Sequence, residues 1–322
     1  MSAQGIQHAL QADFIRDVRA GLGKSGQNEL PSSYLYDEIG AALFEAITLL
    51  PEYGLTRADA RLLELHAAEL ARRLPVSLVV AELGSGSGRK TRWILNALAG
   101  RRALDYYPID ISRPALVKCR GELGRIPGVT LIEMEHSYLD GLDAVVAERQ
   151  SGQSVLFLFL GSTIGNFDQA GAVDFLRQVR ARLEPGDALL LGTDLVKPVD
   201  QLLAAYNDAT GVTAAFNLNI LARINRELGG EFALADFEHR AIYNHGKRRI
   251  EMHLRSKCRQ QARIRDAGLT VRLEEGETIW TESSHKFRLE DVNAMAQGAG
   301  FGPTIQWTDE EWPFAESLLM AS

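Results

Sequence analysis

The pattern of apolar and polar residues along the chain changes near Val76. Before that point, apolar residues recur at helical spacing and predict helices at Ile6–Gly21, near Ala41–Leu49 and from about Arg57 to Arg73. Beyond it, short apolar runs of strand length alternate with longer helical stretches. This alternation is typical of an α/β fold with a parallel sheet.

Five apolar runs predict the strands of this central sheet. Two of them, Val155–Leu160 and Ala188–Thr193, are apolar on both faces, as strands covered by helices on both sides must be. Helices are predicted between the strands, for example at Arg113–Leu123 and Ala172–Leu183. The predicted strands are Leu78–Leu83, Asp105–Ile109, Val129–Met134, Val155–Leu160 and Ala188–Thr193.

The alternation ends after Asp194. Residues Gln201–Leu228 read as helix, and a last helix at Asp291–Ala299 precedes a strand at Thr304–Thr308 that returns to the main sheet. Between these helical stretches, turn residues separate short runs that predict antiparallel strands. These strands are Ala241–Tyr243, Arg249–Leu254, Leu269–Leu273 and Glu277–Glu282.

Two domains follow from this pattern. The chain of 322 residues, 46% of them hydrophobic, is long enough for a large α/β domain with its own core and an accessory domain. We expect a Rossmann-like, doubly wound, mostly parallel sheet and a second α+β domain that binds the substrate. The first comprises 61–195 and 287–322, and the second comprises 1–60 and 196–286.

Composition excludes several classes of function. The net charge of −7 is spread without blocks, which argues against a nucleic-acid partner. Neither a signal peptide nor a long apolar run is present, so we expect a cytoplasmic protein without membrane contact. The two cysteines and seven histidines show no metal-binding spacing, so no metal is predicted. The absence of a heptad pattern favours a monomer.

The segment Glu82–Gly88 directly follows the apolar run Ser77–Ala81 and carries three alternating glycines, with an acid two residues ahead of the first. A buried strand that leads into such a loop is typical of a nucleotide-cofactor site. A dinucleotide fingerprint would need glycine where Arg89 stands. The pattern instead indicates S-adenosylmethionine (SAM), which has no pyrophosphate.

Polar residues at the ends of successive strands complete the predicted cofactor site. Asp110 suits the ribose hydroxyls, or it caps the next helix. Lys90 suits the methionine carboxylate, or it is an ordinary solvated residue. Ser137 suits the adenine amino group, and Tyr138 stacks on the adenine ring or packs in the core. The predicted cofactor residues are Gly84, Ser85, Gly86, Lys90, Asp110, Ser137, Tyr138 and Gly161.

The fourth predicted strand leads into a polar loop, Gly161–Phe167, which this position places beside the sulfonium of SAM. Asn166 in this loop offers both a donor and an acceptor, which suits a zwitterionic small molecule. The alternative role of Asn166 is that of an ordinary turn or helix-capping residue.

Several segments along nearly the whole chain together identify a family that the chain resembles. These are Leu50–Tyr53, Thr56–Arg57, Glu82–Thr91, Gly161–Asn166, Gly192–Lys197, Gly211–Asn217, Arg249–Met252 and Thr281–Phe287. With these segments, the chain resembles the histidine Nα-methyltransferases of ergothioneine biosynthesis. Because the likeness includes the accessory domain, it is far more specific than a glycine loop.

The resemblance implies that SAM methylates free L-histidine three times to give the betaine hercynine. It implies that three residues hold the backbone groups of the amino acid, that two read the imidazole, and that three line the pocket or its mouth. The backbone groups are assigned to Tyr53, Asn166 and Tyr206, and the imidazole to Glu282 and Ser284. The residues that line the pocket or its mouth are Met252, Tyr36 and Phe44. No catalytic base is assigned; water or a tyrosine such as Tyr36 takes the proton.

The implied acceptor contacts agree with the chemistry of histidine. A carboxylate at Glu282 and a hydroxyl at Ser284 can each meet one imidazole nitrogen. A site built in this way rejects side chains that leave its polar groups unpaired. Taken alone, Glu282 could equally form a surface salt bridge on an antiparallel strand.

Three positions depart from the family pattern or sit beside it. Gly54 stands where a second aromatic residue is common, Ser137 stands where an acid is common, and His285 follows the imidazole-reading pair and is expected to face away. Gly54 motivates an alternative, the same chemistry on another free amino acid such as tryptophan. A further alternative is a SAM-binding module without catalytic activity.

Overall fold

The computed structural model describes residues 3–322, with side chains described from residue 11 onward. Met1 and Ser2, which belong to the predicted domain segment 1–60, lie outside the described residues. The helices are α1 (Ala3–Leu22), α2 (Glu38–Thr48), α3 (Leu55–Arg73), α4 (Arg92–Ala99), α5 (Arg113–Leu123), α6 (Tyr138–Glu148), α7 (Gln169–Arg180), α8 (Val199–Tyr206), α9 (Val212–Leu228) and α10 (Leu289–Gly298). The strands are β1 (Asn28–Glu29), β2 (Leu78–Leu83), β3 (Leu104–Ile109), β4 (Val129–Leu131), β5 (Ser154–Phe159), β6 (Ala188–Asp194), β7 (Phe237–Asn244), β8 (Arg249–Ser256), β9 (Gln260–Ile264), β10 (Leu269–Leu273), β11 (Thr278–His285), β12 (Thr304–Asp309) and β13 (Phe314–Met320).

Seven strands form the main sheet in the order β12-β13-β6-β5-β2-β3-β4. The strands β6, β5, β2, β3 and β4 are parallel, whereas β13 runs antiparallel to both β6 and β12. The predicted α/β fold with a mostly parallel sheet is therefore confirmed, and the strand predicted at Leu78–Leu83 has the same bounds in the structure. From β2, the chain adds β3 and β4 on one side and then β5 and β6 on the other. The topological switch point therefore lies between the parallel strands β2 and β5.

The two faces of β2 show why its carboxyl end positions a site. Val79, Ala81 and Leu83 lie in a core built with α6, α7 and α10. Side chains alternate along a strand, so Glu82 lies on the other face. There its carboxylate accepts hydrogen bonds from Tyr106 and Thr91. Both faces of the strand are buried, which fixes the register of β2 in the sheet and thereby the position of the loop that follows.

The chain divides into two compact units. One, the parallel-sheet unit, comprises Gly54–Lys197 and His285–Ser322 and contains the seven-stranded sheet. The other, the second unit, comprises the residues up to Tyr53 together with Pro198–Ser284. It contains helices α1, α2, α8 and α9, a four-stranded sheet in the order β1-β11-β8-β7, and the hairpin of β9 and β10.

The predicted helical stretch Gln201–Leu228 is two helices rather than one. Gly211 adopts a left-handed φ of 78° before α9, a conformation that favours glycine. The Asp208 carboxylate accepts hydrogen bonds from the amides of Val212 and Thr213, which satisfies donors of the first turn of α9. These two features separate α8 from α9.

Strand β13 was missed by the sequence prediction. Its centre carries Glu316 and Ser317, which interrupt an otherwise apolar run. Both residues are buried in the structure because β13 lies between β6 and β12. In the described part of the chain, no helix combines the length and the apolar character needed to span a bilayer.

Candidate active site

The glycine loop bends sharply at the carboxyl end of β2. Gly84 and Gly86 have left-handed φ angles of 67° and 52°. The Gly84 amide donates to the Ile109 carbonyl at 2.8 Å, and the Gly86 amide donates to the Asp110 carboxylate at 3.2 Å. The loop is thereby fixed to the end of β3, the neighbouring strand.

The loop leaves room and polar groups for a ligand. A Cβ added at Gly86 would meet no atom within 4 Å. The Ser85 hydroxyl is buried without a hydrogen-bond partner among the described residues. A buried hydroxyl without a partner is costly, which is consistent with a ligand that supplies one. The residues at this loop therefore fit a bound cofactor.

Asp110 lies beside this loop and does not cap the next helix. Its carboxylate accepts from the Ser112 amide at 2.9 Å, and Ser112 is the residue that caps α5, accepting from the Ala115 amide at 3.4 Å. Burial raises the pKa of Asp110, although hydrogen bonds from backbone amides oppose the rise. A carboxylate held in this way is suited to accept hydrogen bonds from hydroxyl groups.

Ser137 and Tyr138 have different surroundings. Ser137 is exposed, and its hydroxyl donates to the Asp140 carboxylate at 2.6 Å. The Tyr138 ring packs edge-on against Phe159 and Phe175, with centroid distances of 5.5 and 6.3 Å. A Cβ at Gly84 would lie 3.0 Å from the Tyr138 hydroxyl. Tyr138 is thus packed in the core at one end and borders the glycine loop at the other.

Lys90 is not a solvated helix residue. Its ammonium forms an ion pair with the carboxylate of Asp59, a fully buried residue of α3. Burial disfavours the charged ammonium, but the Asp59 carboxylate outweighs this effect, and the pKa of Lys90 lies above its ordinary value. Lys90 therefore remains charged beside the glycine loop.

The loop after β5 lies at the same edge of the sheet, since β5 is the parallel neighbour of β2. Gly161 and Ser162 have left-handed φ angles of 71° and 60° and lead into a short 3-10 turn, Thr163–Asn166. Asn166, partly exposed, ends this turn. The Gly161 amide donates to the Asp59 carboxylate at 2.9 Å.

His285 is held by that same turn. Its ring Nδ1 donates to the Gly165 carbonyl at 2.9 Å, and a Cβ on Gly165 would lie only 3.0 Å from the His285 carbonyl oxygen. The turn that ends in Asn166 is therefore packed closely against His285.

In the second unit, five aromatic residues form one cluster, and four of them are residues that the family resemblance assigns to the acceptor site. Successive ring centroids lie 5.4 to 6.4 Å apart. Such spacings are typical of favourable edge-to-face contacts. The members are Tyr36, Phe44, Tyr53, Tyr206 and Phe216.

One further predicted acceptor residue, Ser284, is hydrogen-bonded to this cluster, and two others, Glu282 and Met252, lie on strands of the same unit. The Tyr206 hydroxyl donates to Ser284 Oγ at 2.7 Å, and both residues are buried. Glu282 lies two positions before Ser284 on β11, so the two side chains share a face of the strand. Met252 is buried, and its carbonyl accepts from the Thr281 hydroxyl at 3.0 Å.

The space beside Gly54 is filled. A Cβ at this position would lie 2.2 Å from Cε3 of Trp312, so the indole ring occupies the volume that a larger residue would need. The Trp312 ring nitrogen donates to the Asp194 carboxylate at 3.0 Å, which holds the ring in place. Position 54 therefore lacks a side chain without leaving a void.

Comparison with known proteins identifies the family. The model of a family described as "Histidine-specific methyltransferase, SAM-dependent" matches residues 14–321. The chain belongs to this family. It is 42% identical to a histidine N-alpha-methyltransferase of Mycolicibacterium smegmatis over 309 residues, which cover 95% of this chain and 94% of the relative.

Two other similarities are informative. The chain is 34% identical to ergothioneine biosynthesis protein 1 of Neurospora crassa, with 87% of this chain and 33% of that protein covered. The solved structure of the CurJ carbon methyltransferase aligns with a TM-score of 0.50 and 12% identity, covering 99% of this chain and 69% of that one. At this identity, the structural likeness concerns the fold alone.

Membership in the family confirms the predicted cofactor and activity: the chain is a SAM-dependent histidine methyltransferase with small-molecule substrates. Three residues of this methyltransferase escaped the sequence analysis, namely Asp59, Phe216 and Trp312. Asp59 was the easiest to find, because it is an acid on the stripe of α3 that also carries Leu55 and Leu62. Phe216 and Trp312 look like ordinary core residues in the sequence.

Proposed function

We propose that this methyltransferase transfers three methyl groups from SAM to the α-amino group of free L-histidine. The product is hercynine, and the reaction is the first step of ergothioneine biosynthesis. The observation that carries the proposal is the family match over residues 14–321, which includes residues of both compact units. The names of the relatives from Mycolicibacterium smegmatis and Neurospora crassa support the same acceptor and pathway.

The cofactor contacts that we propose follow from the loops at the carboxyl ends of the parallel strands. Asp110 accepts from the ribose hydroxyls, Lys90 meets the methionine carboxylate, and Tyr138 borders the adenosine. Ser137 lies toward the adenine amino group. Gly84, Ser85, Gly86 and Gly161 complete the contacts. Bound SAM supplies a methyl group that its positive sulfur has already activated.

For the acceptor, we propose that Glu282 and Ser284 each meet one imidazole nitrogen, while Tyr206 and Tyr53 hold the backbone groups. Tyr36, Phe44 and Met252 line the pocket. Because a carboxylate can accept a hydrogen bond from the imidazole but not from an apolar side chain, a site with Glu282 favours histidine.

The nitrogen must be held loosely, since the same pocket has to accept an amine with none, one or two methyl groups. We propose that Asn166 contacts it together with water, while the carboxylate and the imidazole carry the firm contacts. The residues align the lone pair with the methyl group and exclude bulk solvent. The aromatic rings favour the positive charge that accumulates on the nitrogen. Water or Tyr36 takes the proton.

The test is to incubate the purified protein with SAM and histidine and to analyse the products by mass spectrometry. We expect a species that is heavier than histidine by three methyl groups and identical to synthetic hercynine. Absence of hercynine across a range of pH would refute the proposal.

Competition among free amino acids tests the alternative acceptor. The motive for tryptophan was the absence of a side chain at Gly54, and Trp312 fills that space. We therefore expect histidine to be consumed and tryptophan to remain unmethylated in an equimolar mixture. Preferential methylation of tryptophan would show that tryptophan, and not histidine, is the acceptor.

We further propose that the protein acts as a monomer in the cytoplasm, where both SAM and free histidine are available, without a nucleic-acid or membrane partner. Its spread negative charge offers no patch for a nucleic acid. Light scattering coupled to size exclusion tests the monomer directly, because a dimer would double the mass.

A further inference from the structure

We propose that Asp59 is a positioning residue of the cofactor site, and that its carboxylate holds the loop after β2 and the loop after β5 in the arrangement that receives the methionine end of SAM. This inference rests on the cofactor contacts proposed above and adds a residue that does not itself touch the cofactor. It assigns a function to a buried acid of α3 that the mechanism does not otherwise use.

A single carboxylate oxygen joins the two loops. Asp59 Oδ2 forms the ion pair with Lys90 and accepts the hydrogen bond from the Gly161 amide at 2.9 Å. Lys90 ends the glycine loop after β2, and Gly161 follows β5 directly. These strands are neighbours at the topological switch point of the sheet, which is where ligands bind in folds of this kind.

A second buried acid lies beside Asp59. Glu316 of β13 is buried, and neither of its carboxyl oxygens has a hydrogen-bond donor among the described residues; the same holds for Asp59 Oδ1. Burial and the Asp59 carboxylate raise the pKa of Glu316 well above its ordinary value. This rise favours the protonated form of Glu316, and a proton held toward Asp59 gives these oxygens a partner.

Packing alone does not account for a carboxylate at this position. Asp59 is fully buried, and a buried charge costs more free energy than an apolar residue unless it is paired and hydrogen-bonded. The groups that compensate the charge are Lys90 and the Gly161 amide, both in predicted cofactor loops. An ammonium has three donors, so pairing with Asp59 leaves Lys90 able to meet a ligand carboxylate.

The decisive experiment compares ligands that contain or lack the methionine part. Isothermal titration calorimetry would measure the binding of SAM, S-adenosylhomocysteine and adenosine to the wild-type protein, to Asp59→Asn, and to Asp174→Asn as a control on an exposed acid of α7. We expect Asp59→Asn to bind SAM and S-adenosylhomocysteine about tenfold more weakly or worse, a loss of about 1.4 kcal/mol. Adenosine should bind equally well to all three proteins.

Steady-state kinetics adds a second readout. Because Asp59 positions the loops that receive the cofactor, Asp59→Asn should raise the KM for SAM while the KM for histidine stays unchanged. Wild-type affinity for SAM in a folded Asp59→Asn protein would overturn the inference, and so would an equal loss of adenosine binding, which indicates general damage. If the wild-type protein itself does not bind SAM, the proposed function fails instead.

Lys90→Met carries the test if Asp59→Asn does not fold. It removes the ion pair together with the contact that Lys90 is proposed to make with the methionine carboxylate, so it should weaken S-adenosylhomocysteine and leave adenosine unchanged. Where both single variants fold, the double variant should lose less affinity than the two single losses combined, since both act on one pair. Fully additive losses, or a Lys90→Met protein with wild-type affinity, would contradict the role of the pair.

Discussion

The hydroxyl of Tyr206 donates a hydrogen bond to the hydroxyl of Ser284 at 2.7 Å, and both residues are buried. The family resemblance assigns these residues to different parts of histidine, Tyr206 to the backbone groups and Ser284 to the imidazole. A hydroxyl has one donor and two acceptor positions, so each can bind a ligand while it is bonded to the other. The two residues therefore form one polar unit, and removal of either changes the hydrogen bonding of its partner.

The first prediction concerns this pair. Tyr206→Phe and Ser284→Ala should each raise the KM for histidine about three- to tenfold, because each removes a buried hydroxyl and leaves its partner short of a bond. The double variant should lose less than the product of the two single effects, since the bond between them is lost only once. Steady-state kinetics of the four proteins measures this coupling.

Tyr243→Phe is the matched control, because Tyr243 is a partly exposed tyrosine of β7 in the same unit. It should leave the KM for histidine unchanged. Strictly multiplicative effects in the Tyr206 and Ser284 variants would show that the two hydroxyls act independently.

The second prediction concerns Glu282. Glu282→Ala should lower kcat/KM for histidine by about 10- to 100-fold, because a hydrogen bond to a charged group contributes about 1.5–3 kcal/mol. The KM for SAM should remain as in the wild type, since Glu282 is proposed to contact only the acceptor. Initial rates at varied histidine and saturating SAM give the measurement.

Glu275→Ala changes an exposed acid of the same unit and should have wild-type kinetics. If Glu282→Ala turns over histidine at the wild-type rate, the residue does not read the imidazole, and the remaining acceptor residues would have to account for specificity.

Periodicity along the chain predicted the features that depend on neighbouring residues. The strand at Leu78–Leu83 and the helix at Arg113–Leu123 have the predicted bounds, because their apolar spacing and their end signals are local. The glycine loop was predicted for the same reason. Its three glycines follow the strand directly, and the left-handed backbone angles at Gly84 and Gly86 favour glycine.

Features that depend on distant residues were not predictable in this way. Nothing near Lys90 in the sequence indicates that its partner is Asp59, and nothing near Gly54 indicates Trp312. These pairs are set by how strands and helices pack across the parallel-sheet unit. The same is true of Glu316, whose burial is a consequence of the central position of β13.

The third prediction tests the packing at position 54. Gly54→Ala should destabilise the protein by about 1–3 kcal/mol, because the added Cβ would lie 2.2 Å from Trp312 and the ring has to shift. The backbone at Gly54 has φ −71° and ψ −17°, so alanine is acceptable there and the effect is purely steric. Urea unfolding of the variant gives the free energy.

Two comparisons sharpen this test. Gly121→Ala in α5 meets no atom within 4 Å and should stabilise the protein by up to about 1 kcal/mol. Trp312→Leu should reduce the loss caused by Gly54→Ala, since the smaller side chain makes room. Equal destabilisation by Gly54→Ala in both backgrounds would mean that Trp312 is not the obstacle.

The fourth prediction is a pH dependence of stability caused by Glu82. Burial raises the pKa of this carboxyl from 4.5 to about 7, although Tyr106 and Thr91 donate hydrogen bonds to it. Because the folded protein holds a proton that the unfolded chain releases, this stabilisation is complete below about pH 4.5 and is lost as the pH rises through about 7. The unfolding free energy of the wild type should therefore fall relative to that of Glu82→Gln by up to about 3 kcal/mol over this range. Glu310→Gln changes an exposed acid and is the control, for which the difference from the wild type should not vary with pH in this way. A constant difference in unfolding free energy between the wild type and Glu82→Gln from pH 4.5 to 7 would show that Glu82 is ionised throughout.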